Sequence, residues 1–360
     1  MIDNRQVLKT RTIVIAALFL VAFCLCGRAE AALSAANAPA ANSLLSPPQT
    51  DGQLIPVAIA MRIINLSDID EVTQRFRMVG YLVAEWKDDR LAFTPSAPWE
   101  KFRVYAADQV WCPHFDFVNG VAPHEAHDVT MRVFLDGTVR YSERSSAELS
   151  NVFNLRTFPF DRQTLEILIH QTAAEDRVVA LSELHGEKSL SAEPRVYSEL
   201  AQWQMTGADS SVEEIPGIGG EPITEVRFSV SMVRRYNFYI WKVFLPLLLM
   251  VVLSWTVLWV DPTELSAQTT ISVTTILTVI AFAFAIQANL PKVPYLTFID
   301  LFFLVCYLFV FLTAIEITAV HIAGRSGHIA RARRLIRTFR LVLPISFAAI
   351  ILLIIIYSFH

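Results

Sequence analysis

A run of hydroxyl side chains inside an otherwise apolar segment is the first feature of this sequence that could do chemistry. Thr269, Thr270, Ser272, Thr274, Thr275 and Thr278 crowd into one stretch, flanked by Asp261 and Glu264 on one side and Gln287 on the other. At the helical repeat, Thr270, Thr274, Leu277, Ala281 and Phe284 fall on one stripe, hydroxylated at one end and apolar at the other. Hydroxyls can replace part of an ion's hydration shell, and apolar rings can close a water-filled path by dewetting. Ser and Thr also hold helices together in membranes, so interhelical packing is the competing reading. The acids and the amide at the ends of the stripe favour contact with water. One such helix cannot enclose a path, so a ring of copies is required. A second group, His114, His124 and His127 beside Glu125 and Asp128, contains metal-ligating types. Its irregular spacing fits a solvated loop, and no metal is expected there. No constellation for catalysis stands out, so neither an enzyme activity nor a cofactor is expected.

The elements that position these residues follow from composition. Of 360 residues, 54% are hydrophobic and 18% charged, where soluble domains carry about a quarter charged. Most charges precede Arg235, which excludes a purely soluble enzyme and a disordered chain, and the net charge of −4 gives no reason to expect nucleic acid. Four apolar segments, at about 238–260, 264–287, 297–323 and 335–357, are each long enough to cross a bilayer, which takes about 20 residues. Arg325, Arg331, Arg333 and Arg334 lie in the link before the fourth, with Arg337 and Arg340 just inside it, and no Asp or Glu follows Glu316. The positive-inside rule puts this link in the cytoplasm and the N-terminal head outside. Arg5, Lys9 and Arg11 precede an apolar stretch and Ala29-Glu30-Ala31, the layout of a secretory signal over 1–31, with an uncleaved anchor as the alternative. Residues 32–52 are rich in Ala, Asn, Ser and Pro and read as a disordered lead-in.

From 53 to 236 the pattern is one of short strands, at about 56–65, 75–86, 129–134, 138–144, 164–170, 178–182 and 224–233. Asp136-Gly137 marks a hairpin turn. Many strands without βαβ alternation argue for an antiparallel sandwich. Residues 237–360 form the membrane domain. Cys24 and Cys26 fall in the leader, Cys112 in the head and Cys306 in a span, so no disulfide framework is present.

At this point several motifs stand in a familiar order: Trp111-Cys112-Pro113, Phe158-Pro159-Phe160-Asp161-Arg162-Gln163, Arg234 before the first span, Pro246 within it, the 277–284 segment, and Asn289 to Tyr295 after the second span. In these the chain resembles the pentameric ligand-gated ion channels, most closely their bacterial members. The resemblance implies an α+β membrane protein: an extracellular immunoglobulin-like β-sandwich of about ten strands above a four-helix transmembrane bundle, assembled as a homopentamer. It implies a pore lined by Thr270, Thr274, Leu277, Ala281 and Phe284, with ligands bound between neighbouring sandwiches. Cation-selective relatives carry a glutamate aligned with Ser266 or Ala267; here Glu264 lies slightly further toward the cytoplasm, and Gln268 stands where an arginine is typical of anion-selective members. Monovalent cations are the expected permeant ions, with Glu264 and Ser266 as the selectivity positions.

The resemblance also implies a pair, Asp161 and Arg234, linking head to membrane, completed by Asp70 or Glu71. Pro159, Pro291, Lys292 and Tyr295 are expected beside it, passing movement to the pore. The competing reading is an exposed ion pair worth about 0–1 kcal/mol. At the ligand site Tyr81 and Asp116 match the amine-gated relative, whereas His170, Thr172 and Ile223 replace its second acid and two aromatic residues. Arg144 matches a carboxylate-contacting position of the proton-gated relative, whose acid sensor and membrane histidine correspond to Gln74 and Val279. A pairing of His170 with Asp116, titrating near neutrality, is the expected route for pH to act, with a hydrogen-bonded histidine at the sandwich edge as the competing reading. The agonist is thus an unidentified small ligand or protons, and the expected location is a bacterial inner membrane, among lipids, with the head in the periplasm. The alternative is a membrane-anchored extracytoplasmic sensor without a conducting pore.

Overall fold

The computed structural model describes residues 44–48, 53–171, 179–184, 190–192, 200–216, 222–260, 265–287, 292–326 and 329–359. The expected signal and most of the lead-in lie outside the described residues, as do Thr172, Glu264 and Pro291.

The head holds eleven strands among the described residues: β1 (Ile55–Asp70), β2 (Arg75–Lys87), β3 (Phe102–Tyr105), β4 (Phe115–Phe117), β5 (Glu125–Phe134), β6 (Thr138–Ser150), β7 (Arg162–Gln171), β8 (Val179–Glu183), β9 (Leu190–Ala192), β10 (Trp203–Pro216) and β11 (Pro222–Arg234). They form a seven-stranded sheet, in order β3-β5-β6-β2-β1-β8 with β9 also on β1, and a four-stranded sheet, in order β10-β11-β7-β4. Alternation drives this arrangement. Along β2, Phe76, Met78, Leu82, Ala84 and Trp86 face inward and are buried. Val226, Phe228, Val230 and Met232 do the same from β11. Each large apolar side chain so buried contributes about 1.5–3 kcal/mol.

The purely antiparallel sandwich expected from the sequence is corrected in one place: β8 and β9 pair parallel to β1. β8 starts at the end of the sandwich where β7 finishes and β1 begins, so the two strands run the same way. β3, β4 and β9 escaped sequence reading because three or four residues show no period. β10 escaped it because both faces of its outer half are at least partly exposed, which erases the alternation. The expected hairpin joins β5 to β6. Gly137 adopts φ +83° there, and an added Cβ would lie 2.6 Å from the Asp88 carbonyl oxygen.

The membrane domain contains α1 (Asn237–Trp259), α2 (Leu265–Gln287), α3 (Phe298–Arg325) and α4 (Ile329–Phe359). All four are long and apolar enough to cross a membrane. In α1 a π-helical turn at Ile240–Phe244 precedes Pro246, which has no N–H to continue a regular ladder. Half of the apolar window of α3 is buried, against 11% for α4. α3 therefore forms the centre of the bundle and α4 its rim, with α3 packed on the other three.

Candidate functional site

The junction of head and membrane is built from three chain segments. Arg234, the last residue of β11, is 2% exposed and points its guanidinium at Asp161, which is 0% exposed and immediately precedes β7. Arg234 Nε donates to Asp161 Oδ1 at 2.7 Å and Nη2 to Oδ2 at 3.2 Å, a bidentate pair. Nη2 also donates to Glu71 Oε1 at 2.7 Å. The indole of Trp203 and the ring of Phe158 lie 4.1 and 4.7 Å from the guanidinium carbon. Gln163 Nε2 supplies Asp161 Oδ2 with a further donor at 2.6 Å. The exposed-pair reading is therefore excluded. Of the two acids considered for the third member, Glu71 is the one that reaches Arg234. Asp70 instead accepts from Val72 and Thr73 backbone N–H groups and caps its own turn. The Thr73 hydroxyl, opposed by slight burial and aided by those N–H groups, holds the Asp70 carboxyl below its usual range.

Pro159 is buried, its peptide bond to Phe158 is cis, and the next residue, Phe160, leaves the head altogether. The Phe160 ring packs against Tyr236, Phe244 and Phe298 at centroid distances of 5.2, 6.0 and 5.4 Å. Phe158 thus lies between Arg234 of the head and Tyr239 of α1, at 4.7 and 4.9 Å, while Phe160 lies among residues of the membrane domain. The α2–α3 connection meets the same loop. Tyr295 Oη accepts from the Leu155 N–H at 3.1 Å, and Phe298 N–H donates to the Arg156 carbonyl at 2.9 Å. Lys292 is exposed and lines a cavity with Leu155, Phe158 and Asp300. Sequence reasoning missed Trp203 and Arg156 and gave Phe160 no role beyond its place in the 158–163 motif, because these contacts are signalled by no local pattern.

On α2 the five stripe residues Thr270, Thr274, Leu277, Ala281 and Phe284 are all exposed in the single chain, Leu277 by 62% and Phe284 by 69%. Gln268, Ser272, Thr275, Val279 and Ala283 occupy the opposite, buried face. Phe284 therefore does not pack inside the subunit's own bundle. The Thr270 hydroxyl donates to the Ser266 carbonyl at 2.8 Å, and that of Thr278 to the Thr274 carbonyl at 2.7 Å. Each bond satisfies the hydroxyl proton on the helix's own backbone four residues earlier. Ser266 itself is exposed.

The ligand-site residues divide between the two sheets. Tyr81 and Arg144 are cross-strand partners on the outward face of the seven-stranded sheet. Asp116 and His170 are cross-strand partners on the four-stranded sheet, and Ile223 sits opposite Ile215 near the end of the β10–β11 hairpin. Within one chain the two groups do not meet. Glu225, missed in the sequence, lies directly across from His170, is buried, and approaches Arg227 at 3.6 Å. The expected His170–Asp116 ion pair is not formed among the described residues, and His170 Nδ1 is buried with no hydrogen-bond partner.

The histidine that meets a buried carboxylate is His124, and this corrects its reading as part of a solvated loop. Its Nε2 lies 3.2 Å from Glu143 Oε1, with the two side chains 17% and 4% exposed. Glu143 faces inward on β6 and also accepts from Ser145 Oγ at 2.6 Å and from Tyr141 Oη. His127, by contrast, lies on the surface 3.6 Å from Glu125.

Comparison with known proteins follows the same division of the chain. The neurotransmitter-gated ion-channel ligand binding domain profile matches residues 39–236, and the neurotransmitter-gated ion-channel transmembrane region profile matches residues 243–345. The chain is 30% identical to the proton-gated ion channel of Gloeobacter violaceus over 316 residues, 87% of this chain and 86% of that one. It is 30% identical to the bovine gamma-aminobutyric acid receptor subunit rho-2 over 281 residues, 76% of this chain and 60% of that subunit. The human rho-3 subunit is similar at 29% over 286 residues, 78% of this chain and 61% of its own length. With a β-sandwich head, four membrane-spanning helices and these matches across nearly its whole length, the chain belongs to the family of pentameric ligand-gated ion channels.

Proposed function

We propose that five copies of this chain surround a pore lined by Thr270, Thr274, Leu277, Ala281 and Phe284, and that the pore passes monovalent cations. The observation that carries this reading is the exposed stripe of α2, a face left uncovered by its own subunit while the opposite face is buried. Leu277, Ala281 and Phe284 would form the apolar rings that close by dewetting. Ser266 and Glu264 stand at the cytoplasmic mouth and set the preference for cations. The opening signal is a small ligand or a change of pH outside a bacterial inner membrane. Asp116, His170, Thr172 and Ile223 of one subunit and Tyr81 and Arg144 of its neighbour line the receiving site, since the two groups occupy different sheets. Glu71, Asp161 and Arg234, with Pro159, Pro291, Lys292 and Tyr295, carry the signal to α2.

The test is reconstitution of the pentamer in planar bilayers under a KCl gradient, scanned across pH, small amines and small carboxylates. A reversal potential near that of potassium is expected. Reversal near that of chloride would reject cation selectivity. Silence under every stimulus, from an intact pentamer, would favour the sensor without a pore.

A further inference from the structure

His124 sits just ahead of β5, in a connection that is stitched to both sheets. Asn119 Nδ2 donates to the Ser150 and Glu166 carbonyls at 2.9 and 2.7 Å, and Val121 N–H donates to the Glu148 carbonyl at 2.9 Å. The contact of His124 with Glu143 is the charged member of this set. Around it stand Asp116 and Phe117 from β4, Tyr141, Glu143 and Ser145 from β6, Cys112 from the segment before β4, and Glu125 next in the chain. We propose that His124 and Glu143 form a proton-binding site of the head, which ties the β4–β5 connection to β6 while the imidazole is protonated.

Of His124, Glu143, Tyr141 and Cys112, the imidazole is the group whose protonation changes between the carboxylate and thiol ranges. Burial is the largest influence on the Glu143 carboxyl and pushes it up, but hydrogen bonds from His124, Ser145 and Tyr141 together outweigh burial and hold it below its usual value. Burial, reinforced by Glu143, pushes the Cys112 thiol up to about 12, and burial with the Glu143 bond raises Tyr141 as well. Both stay neutral. The hydrogen bond to Glu143, opposed by burial and aided by the charges of Glu143 and Asp116, raises the His124 imidazole above 6.5. The sign follows directly: a raised folded value means the contact is fully present below about 6.5 and is lost as pH climbs through the higher folded value. On that climb the imidazole releases its other ring proton to solvent and keeps a neutral Nε2–H toward Glu143, which keeps its charge and its two hydroxyl donors. The link between the two sheets then loses its ionic member. Asp116 lies on β4, just before the connection, and Arg144 is next to Glu143, so in each subunit the site lies between the two half-sites that the subunit lends to different pockets. Its effect on gating rests on the ligand-site reading proposed above; the proton site itself does not.

The test uses the full-length pentamer. Melting midpoints of the wild type, His124→Gln and Glu143→Gln are followed from pH 5.5 to 9. Glutamine at position 124 keeps a neutral donor, so the wild type should exceed His124→Gln at low pH and the gap should close at high pH. In Glu143→Gln the closing should move to lower pH, about tenfold in proton concentration for each unit of raised affinity removed. A gap independent of pH, or no gap, overturns the site. Currents at a fixed stimulus supply the second reading: their pH dependence should disappear in His124→Gln and persist in His170→Gln. Currents indifferent to pH in the wild type, or the reverse pattern in the variants, would overturn the role in gating while leaving the melting result to decide the site.

Discussion

Arg234→Gln is the perturbation whose outcome the geometry constrains most tightly. The Arg234 and Asp161 side chains are 1% and 0% exposed, and that of Glu71 is 17% exposed. Removing the guanidinium leaves two carboxylates facing each other with little water. Among the described residues, Asp161 keeps only the Gln163 amide as a side-chain donor. Breaking one partner out of a buried pair costs about 3–5 kcal/mol, and the lost stacking on Trp203 and Phe158 acts in the same direction. At about 2–4 °C per kcal/mol for a domain of this size, the head should melt roughly 6–12 °C lower even at the small end of that range. Gating senses only the part of the loss that differs between closed and open states. A difference of about 1.4 kcal/mol is enough for a tenfold change in activation. Melting of the purified pentamer, read beside activation curves at matched surface expression, separates the two contributions. Arg234→Lys should fall between wild type and Arg234→Gln, because an ammonium cannot form the bidentate pair. Wild-type melting together with wild-type activation in Arg234→Gln would refute both the burial argument and the coupling role.

The two acids of the β1–β2 turn should differ sharply: Glu71→Gln should impair activation, whereas Asp70→Asn should leave it near wild type while loosening only its local turn, and equal effects would contradict the placement of Glu71 on Arg234. Leu277→Ser is expected to shift activation to weaker stimuli by about tenfold or to open the channel spontaneously, since a polar ring wets more easily; unchanged activation at normal expression would remove Leu277 from the gate. Tyr295→Phe deletes the acceptor for the Leu155 N–H and should lose about 0.5–1.5 kcal/mol of contact between head and membrane domain, visible as weaker activation with an unchanged melting point of the head. Gly137→Ala should lower head stability by about 1 kcal/mol or more, because the positive φ and the Asp88 carbonyl both oppose a Cβ; a melting curve that does not move would mean that the turn yields freely.

Local repetition makes much of this protein legible from its residues alone. Four apolar stretches of membrane length, the alternation of Phe76, Met78, Leu82 and Ala84, the Asp136-Gly137 turn and the helical stripe from Thr270 to Phe284 are each written within about twenty consecutive residues. An element that buries one face must carry the period of that face, and so its sequence declares it. The pair of Asp161 and Arg234 is legible for a different reason, through motifs shared with a family. Tertiary structure alone decides what those elements and charges meet. It chooses Glu71 over Asp70, gives His124 rather than His170 a carboxylate, turns β8 parallel to β1, and carries Phe160 out of the head into the helices. These outcomes depend on partners many positions away: Asp161 and Arg234 are 73 residues apart and Glu71 and Arg234 are 163 apart. A side chain's type and neighbours set what it can bond, but only the approach of distant segments sets what is within 3 Å of it.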